Sequence, residues 1–320
     1  MAARIGYFLS SEECTPKELV EQAKMAQDAG FHALWISDHY HPWNEQQGQS
    51  PFVWGAIGAL SEAVDLPITT AVTCPTVRLH PAVLAQAAAT AAVQTGGHFT
   101  LGVGSGEALN EHILGDRWPT STDVRLEMLE EAVGVIRQLW TGELVNHHRK
   151  YYTVEGARIY TLPDEPPKIY VSGFGPKAAT LAGRLGDGYI SVLPDADLVE
   201  DFRKGGGAGK PTQAGFKVCY DRDKAAAARN AHRRWSTELV PGELAQVLPQ
   251  PAHFEQAASL VTEEATAGHF VLGDDPDEHL KQIAEYADAG FDEIFVNQIG
   301  PEYQGFFEFY SREILPKLES

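Results

Sequence analysis

Short hydrophobic runs alternate with longer amphipathic segments along most of this chain. The first run, Arg4–Leu9, has the length and composition of a β-strand. Thr15, Pro16 and Glu18 then supply a hydroxyl N-cap, a proline at the first helical position and a glutamate at the third, which is a capping box. Gly30 is placed to cap the end of this helix. The chain is therefore predicted to open with a strand and a helix.

The same alternation of strand and helix continues to the end of the chain. Further strands are predicted at Ala33–Ser37, Ile68–Cys74, Phe99–Val103, Ile169–Ser172, Tyr189–Val192, Phe216–Tyr220 and Glu293–Gln298. Further helices are predicted at Pro51–Ala63, Pro81–Gln94, Val124–Trp140 and Pro176–Leu185, and from Asp275 to Gly290. A hairpin-like insertion is predicted around Tyr151–Tyr160.

The repeated units predict an α/β fold, a closed (β/α)8 TIM barrel, with a doubly wound open sheet as the alternative. The tetrapeptide Asp-Ala-Gly-Phe, between a predicted helix and the next strand, occurs at residues 28–31 and again at 288–291. The first and last helix–strand units are therefore alike. We expect one domain over residues 1–320, with an insertion near 236–268 that covers the catalytic face. The glycine-rich segment 201–215 predicts a mobile loop.

Composition narrows the classes of function. Of the 320 residues, 43% are hydrophobic and 22% are charged, which is typical of a folded globular protein. The net charge of −19 argues against a partner with an anionic surface, whether nucleic acid or membrane. No apolar segment of membrane-spanning length and no leader peptide are visible. The scattered cysteines Cys14, Cys74 and Cys219 predict reduced thiols in a cytoplasmic protein.

Chemically active residues follow several predicted strands, at the end of a barrel where active sites lie. His39 and Trp43 follow the second strand, and Glu107 follows the fourth. A histidine, a carboxylate and an indole on neighbouring strand ends make an acid/base pair beside an aromatic wall. Residues 173–176 open a helix whose free N–H groups form an anion site. This set predicts a phosphate-bearing ligand whose reactive end points to His39 and Glu107.

His39 and His41 also have the spacing of paired metal ligands in barrel hydrolases. Such a site needs further His and Asp ligands after later strands, where the sequence has no clear partner. His147 and His148 lie in the insertion instead. We expect no metal site, and a metal-dependent barrel hydrolase remains an alternative.

Four segments carry a resemblance to a known family. They are SDHYHPW at 37–43, AVTCPT at 71–76, GVGSGEALNE at 102–111 and VSGFGPKAA at 171–179. With them the chain resembles, over nearly its whole length, the luciferase-like family of flavin- and deazaflavin-dependent oxidoreductases. Within that family it is most similar to the coenzyme F420-dependent glucose-6-phosphate dehydrogenase group.

The resemblance implies a (β/α)8 barrel, a homodimer, and coenzyme F420, an 8-hydroxy-5-deazaflavin, over the barrel mouth. It implies ring and ribityl contacts from Asp38, Ala71, Val72, Cys74, Gly106 and Asn110, with Ala71–Val72 a candidate non-proline cis peptide. It implies contacts around the cofactor phosphate from Ser172, Gly173, Phe174, Gly175, Pro176 and Lys177.

The same resemblance implies that the catalytic residues are His39, Glu107 and Trp43. His39 takes the proton of the substrate hydroxyl as general base, while a hydride passes from carbon to C5 of the deazaflavin. Glu107 supplies a proton to the reduced ring or balances its charge, and Trp43 packs on the substrate. Glu12 hydrogen-bonds substrate hydroxyl groups, and His39, Trp43 and Glu107 are the other expected substrate contacts.

One departure from that group concerns the substrate. Its members hold a sugar phosphate with two lysines and an arginine, and local matching puts Asp195 and the vicinities of Gln246 and His269 at these places. No Lys or Arg occurs between residues 236 and 280. Because an aspartate repels phosphate, we predict an unphosphorylated sugar or other alcohol, glucose first. The alternatives are glucose 6-phosphate, an FMN-dependent luciferase-like monooxygenase and a non-catalytic cofactor-binding protein.

Overall fold

The computed structural model of the protein describes residues 3–115 and 117–318, and its main sheet closes on itself. In chain order the strands are β1 (Arg4–Leu9), β2 (Leu34–Ile36), β3 (Ile68–Thr70), β4 (Phe99–Val103), β5 (Val145–His148), β6 (Thr153–Ala157), β7 (Lys168–Ser172), β8 (Gly188–Ser191), β9 (Thr212–Cys219), β10 (Val271–Leu272) and β11 (Glu293–Gln298). Parallel pairing runs through β1, β2, β3, β4, β7, β8, β9 and β11 and returns to β1. The predicted (β/α)8 barrel is confirmed, and the open sheet is excluded.

Helices follow the barrel strands and cover the outside of the barrel. In chain order they are α1 (Pro16–Ala29), α2 (Val53–Ser61), α3 (Pro81–Gln94), α4 (Ala108–Glu111), α5 (Thr122–Leu139), α6 (Pro176–Leu185), α7 (Ala196–Phe202), α8 (Lys224–Trp235), α9 (Leu244–Val247), α10 (Pro251–Ala258), α11 (Glu263–Ala267), α12 (Pro276–Asp288), α13 (Tyr303–Phe309) and α14 (Leu315–Leu318). β5 and β6 pair as the predicted hairpin, slightly earlier in the chain than expected. Within residues 3–115 and 117–318, no helix has the length and apolar character that a bilayer crossing requires.

Helix α1 begins and ends as its sequence predicts. The Thr15 hydroxyl accepts a hydrogen bond from the Glu18 N–H (3.3 Å), and the Glu18 carboxylate accepts one from the Thr15 N–H (2.8 Å). Gly30 follows the helix with a φ of 97°, a conformation that glycine adopts without steric cost. Strands β1, β4 and β11 and helices α3 and α6 also have the predicted bounds.

Large aromatic rings and glycines fill the interior of the barrel together. Trp35 of β2 stacks on Phe295 of β11, with ring centroids 4.5 Å apart. A Cβ atom at Gly6 would lie 2.3 Å from the Phe295 ring, and one at Gly215 would lie 2.5 Å from the Trp35 ring. The two rings therefore need neighbours without side chains, and together they form a packed layer beneath the mouth of the barrel.

Strand β9 begins earlier than the predicted run at Phe216. Its first residues are polar: the Thr212 hydroxyl donates to the Asp292 carboxylate (2.9 Å), and the Gln213 side chain accepts from Trp35 Nε1 (2.8 Å). Both residues are buried. Because these buried residues are polar, they gave no hydrophobic signal, and the predicted strand began only at Phe216.

The prediction of a mobile loop at 201–215 is wrong. The chain there completes α7, makes a π-helical turn at Arg203–Gly207 and enters β9. A Cβ atom at Gly205 would lie 2.3 Å from the carbonyl oxygen of Thr180, in α6. The Lys210 ammonium donates to the carbonyl oxygens of Gly183 and Gly186, at 2.7 and 2.9 Å. The glycines of this segment permit close backbone contact rather than flexibility.

Residues 236–268 lie over the carboxyl ends of the barrel strands. They form a 3-10 turn at Ser236–Leu239 and the short helices α9, α10 and α11. Phe254 of α10 is buried in one apolar cluster with Leu109 of α4, the helix that follows β4. This segment therefore closes one side of the barrel mouth.

We expect Gly183→Ala, in α6, to lower the free energy of unfolding by about 1–3 kcal/mol. Its Cβ atom would lie 2.1 Å from the carbonyl oxygen of Phe202, so backbone must shift. The control is Gly134→Ala in α5, where a Cβ atom meets nothing within 4 Å, and it should add about 0.5–1 kcal/mol. Urea unfolding of both variants measures this, and equal effects would contradict the close contact.

Candidate active site

His39 lies between two carboxylates at the mouth of the barrel. Its Nε2 atom is 3.3 Å from Glu12 Oε1 and 3.7 Å from Glu107 Oε1, and its side chain is 12% exposed. Its Nδ1 atom is 3.2 Å from the carbonyl oxygen of His41. Because a carbonyl oxygen only accepts hydrogen bonds, Nδ1 carries a proton, and Nε2 is the nitrogen that faces the carboxylates.

Glu12 follows β1 and is held rigidly in the site. One of its oxygens, Oε2, accepts hydrogen bonds from the hydroxyls of Ser10 (2.9 Å) and Ser37 (2.7 Å). The other, Oε1, faces His39, and the side chain is only 4% exposed. The two serines therefore fix which oxygen points at the imidazole, a role that the sequence did not indicate.

Glu107 is fixed by Asn110, one turn further along the chain. Asn110 Nδ2 donates to Glu107 Oε1 at 2.5 Å, while its Oδ1 accepts from the N–H groups of Tyr40 (2.8 Å) and His41 (3.3 Å). The amide thus ties the loop that carries His39 to the start of α4. Both ends of the amide have protein partners, and a cofactor contact through this side chain stays a prediction.

Trp43 forms the wall beside His39. The two ring centroids are 5.0 Å apart, and Trp43 meets Phe254 of α10 edge to face at 5.1 Å. Asn44 and Gln47 both donate to the carbonyl oxygen of Arg234, at 2.8 and 2.9 Å. The loop after β2 is thereby attached to α8 and to the covering segment. His39, Glu107, Trp43 and Glu12 do lie together, as the sequence predicted.

A buried ion pair underlies this site. Arg78, in the loop after β3, lies 2.8 Å from Asp38 Oδ1, and Thr73 donates to Asp38 Oδ2 at 2.7 Å. The side chains of Arg78 and Asp38 are both buried. Asp38 is therefore fully engaged by the protein, directly before His39 in the chain.

Glu111 is a third buried charged residue, next to the pair of Arg78 and Asp38. Its Oε2 atom accepts hydrogen bonds from the Arg78 N–H (2.7 Å), the Val77 N–H (2.9 Å) and the Thr76 hydroxyl (3.2 Å). Burial raises the pKa of Glu111, and hydrogen bonds and the charge of Arg78 oppose that shift. Sequence reasoning missed Arg78, and it gave Glu111, the last residue of the motif at 102–111, no role of its own. The one available signal for Arg78 was its position two residues after the motif at 71–76.

Four of the residues predicted to contact a cofactor ring, Ala71, Val72, Cys74 and Gly106, follow β3 and β4. The Ala71–Val72 peptide is cis, and the chain pairs with β4 again only at Thr73. Gly104 faces this bend, since a Cβ atom there would lie 2.8 Å from Val72 Cγ2. Burial raises the pKa of the Cys74 thiol well above its usual value, so the thiol is neutral. Gly106 has a φ of 87°.

The start of α6 offers backbone donors. Its N-cap is Gly175, which has no side chain, so the first N–H groups after Pro176 have no capping partner. Ser172 is buried at the end of β7, and Phe174 is exposed. The Lys177 ammonium is exposed and pairs with Asp123 at 2.8 Å. A phosphate contact from Lys177 would therefore require exchange of this surface pair.

The two histidines with metal-ligand spacing do not converge. His39 Nε2 faces the two carboxylates, whereas His41 Nδ1 lies 2.9 Å from the carbonyl oxygen of Leu109. In the described part of the chain, no three His, Cys, Asp or Glu side chains are grouped to hold a metal ion.

The positions matched to phosphate-binding residues have other partners. Asp195 caps α7 by accepting from the N–H groups of Asp197 (2.9 Å) and Leu198 (3.2 Å). Gln246 accepts from Arg125 at 2.7 Å. His269 lies 3.7 Å from Glu238. None of these three side chains presents a free cation.

Lys217, on β9, is a basic residue near the mouth that sequence reasoning missed. Its ammonium lies 2.7 Å from Glu238 Oε2 and 4.4 Å above the Trp235 ring. The lysine is thereby paired with a carboxylate and an aromatic face. It sits within a hydrophobic strand pattern, which gives no sign that its side chain points inward.

Comparison with known proteins gives full-length matches. The family model described as luciferase-like monooxygenase matches residues 2–293. F420-dependent glucose-6-phosphate dehydrogenase of Beutenbergia cavernae is 36% identical, over 99% of this chain and 98% of its own. The enzyme of the same name from Microbacterium testaceum is 37% identical, over 98% of this chain and 97% of its own.

Solved structures match as completely. An F420-dependent secondary alcohol dehydrogenase in complex with an F420–acetone adduct is 31% identical, covers 100% of both chains and has a TM-score of 0.92. Coenzyme F420-dependent tetrahydromethanopterin reductase from Methanopyrus kandleri is 21% identical, covers 99% of this chain and 100% of its own, and has a TM-score of 0.80. The second match supports the fold alone.

We expect Arg78→Met to lower the free energy of unfolding by about 3–5 kcal/mol near pH 8, because it leaves the carboxylates of Asp38 and Glu111 buried without a cation. The loss should shrink towards about pH 5. Without Arg78 the pKa of Glu111 rises further in the folded state, so this state binds protons more tightly than the unfolded chain. Urea unfolding at both pH values measures the change.

The matched control is Arg184→Met, which breaks an exposed pair with Glu130. We expect it to cost at most about 1 kcal/mol, with no comparable dependence on pH. A pH-independent loss in Arg78→Met would contradict the buried charge network.

Proposed function

The chain belongs to the luciferase-like monooxygenase family, and on that basis we propose that it is a coenzyme F420-dependent oxidoreductase. Its proposed reaction is the oxidation of an unphosphorylated sugar or other alcohol, with glucose as the first candidate. The observation that carries the proposal is His39, whose Nε2 atom faces Glu12 and Glu107. Relatives named for F420 match almost the whole chain, which supports the same cofactor here.

The residues at the barrel mouth fit such a cofactor. A Cβ atom at Gly104 would lie 2.8 Å from Val72 Cγ2, so glycine lets the end of β4 pack closely on the segment to which we assign ring contacts. The uncapped N–H groups of α6 suit a phosphate. We assign contacts with the ring and ribityl chain to Asp38, Ala71, Val72, Cys74, Gly106 and Asn110, and contacts with the phosphate to Ser172, Gly173, Phe174, Gly175, Pro176 and Lys177.

We assign the general base to His39. The bound deazaflavin supplies the hydride acceptor, its C5 atom. His39 Nε2 takes the proton of the substrate hydroxyl, since Nδ1 already carries a hydrogen and donates it to the His41 carbonyl. The imidazolium that forms lies beside the carboxylate of Glu12, which stabilises its positive charge.

Glu107 and Trp43 complete the proposed machinery. Glu107 is 25% exposed, compared with 4% for Glu12, so it is the carboxyl group better placed to exchange a proton with bound molecules. We assign to it the proton or charge balance at the cofactor ring. Trp43 excludes water from one side of the base and packs on the substrate.

The charges around the mouth favour a neutral substrate. Two carboxylates flank His39, and the nearby cation of Lys217 is paired with Glu238. A phosphate would meet repulsion from these carboxylates, and Lys217, already paired with Glu238, would offset less of it than an unpaired cation. Glucose 6-phosphate is the second candidate, because relatives 34–37% identical are named for it.

We further propose that the protein acts as a single-domain homodimer in the cytoplasm. The dimer follows from the resemblance to the family. The cytoplasm follows from Cys14, Cys74 and Cys219, which are free and buried in the structure, as in proteins of reducing compartments.

We expect the protein to reduce its cofactor with glucose at least about tenfold more efficiently than with glucose 6-phosphate, in kcat/KM. The two carboxylates that flank His39 and the pairing of Lys217 with Glu238 are the reason. Loss of the visible absorbance of oxidised F420 measures both rates. A preference for glucose 6-phosphate would contradict our interpretation that Asp195, Gln246 and His269 leave no binding site for a phosphate. Oxygen-dependent turnover with FMN instead would point to a monooxygenase.

We expect His39→Ala to lower kcat by about 10²–10⁴-fold, the usual contribution of a positioned acid/base group. Binding of F420, followed by its fluorescence, should change little, because the imidazole serves the proton transfer. His148→Ala is the control, since this histidine is exposed on the hairpin. Full activity in His39→Ala would remove the base from the mechanism.

A further inference from the structure

Asn297, on β11, has a buried amide without a partner. Asn297 is 1% exposed, and neither its Oδ1 nor its Nδ2 atom forms a hydrogen bond within the described residues. Buried amides almost always have partners, because the hydrogen bonds lost with water are otherwise not replaced. This amide is therefore suited to a polar group that comes from outside the chain.

The alternation of β11 sets the direction of this side chain. Ile294 and Val296 belong to the apolar core that includes the outer helices, whereas Phe295 belongs to the interior cluster with Trp35. Successive side chains of a strand point to opposite faces. Asn297 therefore points into the barrel, one level above the packed layer of Phe295 and Trp35, towards the mouth.

The neighbouring strands connect Asn297 to the site. On one side β11 pairs with β1, with Val296 opposite Tyr7, and β1 leads directly to Glu12, the carboxylate that faces His39. On the other side Asn297 is opposite Lys217 of β9. The amide thus lies on the Glu12 side of the general base, away from β4 and from Gly104.

The surroundings of the amide carry little free charge. Lys217 is paired with Glu238 at 2.7 Å and lies over the Trp235 ring. An amide offers one acceptor and one donor group, which matches a hydroxyl, itself donor and acceptor. A carboxylate or phosphate, which only accepts, would leave Oδ1 without a partner.

We propose that Asn297 binds a second hydroxyl group of the substrate, distinct from the one that His39 deprotonates. The proposal rests on the function proposed above, since it requires a neutral alcohol at His39. It assigns to Asn297 a role in specificity: the enzyme prefers a polyhydroxylated substrate to an alcohol with a single hydroxyl group.

The test compares Asn297→Leu with the intact protein, using glucose and propan-2-ol as substrates. Leucine has a similar volume and no hydrogen-bonding group. We expect KM for glucose to rise about tenfold, the effect of one or two lost hydrogen bonds, and kcat to fall much less. The rise in KM for propan-2-ol, which has no second hydroxyl, should be clearly smaller. Asn146→Leu, on the exposed hairpin, is the matched control.

Thermal unfolding without ligand separates binding from folding. An unpartnered amide contributes nothing to the fold, so Asn297→Leu should keep or raise Tm. A lower Tm with unchanged KM would assign the amide a structural role and overturn the proposal. An unchanged KM at unchanged Tm would mean that the amide meets only water. A raised dissociation constant for F420, with unchanged KM for glucose, would make it a cofactor contact.

A failure of the proposed F420-dependent alcohol oxidation would give a different experimental result. If the intact protein reduces F420 with neither alcohol, the proposed function falls, and the role of Asn297 in substrate specificity falls with it. If the intact protein is active with glucose and the variant has the same KM for glucose, only the role of Asn297 is overturned.

Discussion

One buried arginine holds together the three loops on which the candidate active site stands. Arg78, after β3, contacts Asp38, after β2, at 2.8 Å, and its backbone N–H donates to Glu111, at the end of α4 after β4. Charges removed from water are tolerated only when they are paired and hydrogen-bonded. Separating the loops would therefore cost free energy, because it would leave buried charges without partners. His39 follows Asp38 directly, and Glu107 begins the turn that ends at Glu111. The spacing of base and carboxylate therefore depends on this network.

Above the network, hydrogen bonds decide the chemical state of each group. The His41 carbonyl assigns the proton of His39 to Nδ1, two serines turn one oxygen of Glu12 towards the ring, and Asn110 holds Glu107. A base in this setting has its product cation stabilised before the reaction begins. The same two carboxylates make the mouth unfavourable for anions, which links the mechanism to the proposed neutral substrate.

Glycine permits close packing in this barrel. A Cβ atom at Gly104 would lie 2.8 Å from Val72 Cγ2, and one at Gly205 would lie 2.3 Å from the carbonyl oxygen of Thr180. The sequence does not distinguish a packed glycine from a flexible one, and the segment 201–215 was predicted as a mobile loop for that reason. The helical segment from 236 to 268 adds the remaining wall, since Phe254 packs on Trp43 beside His39.

The sequence by itself predicted the barrel ahead of an open sheet, the bounds of several strands and helices, and the position of His39, Trp43 and Glu107 at strand ends. These predictions follow from periodicity, caps and strand ends, which are short-range signals, whereas Glu12 was expected from the family resemblance. Only the tertiary structure decided the partners of Arg78, the pairing of Lys217 with Glu238 and the unpartnered amide of Asn297. Each of these features depends on residues that are far apart in the chain and meet only when the barrel closes. The local sequence pattern does not specify how the strands are aligned with one another, so it does not predict these features.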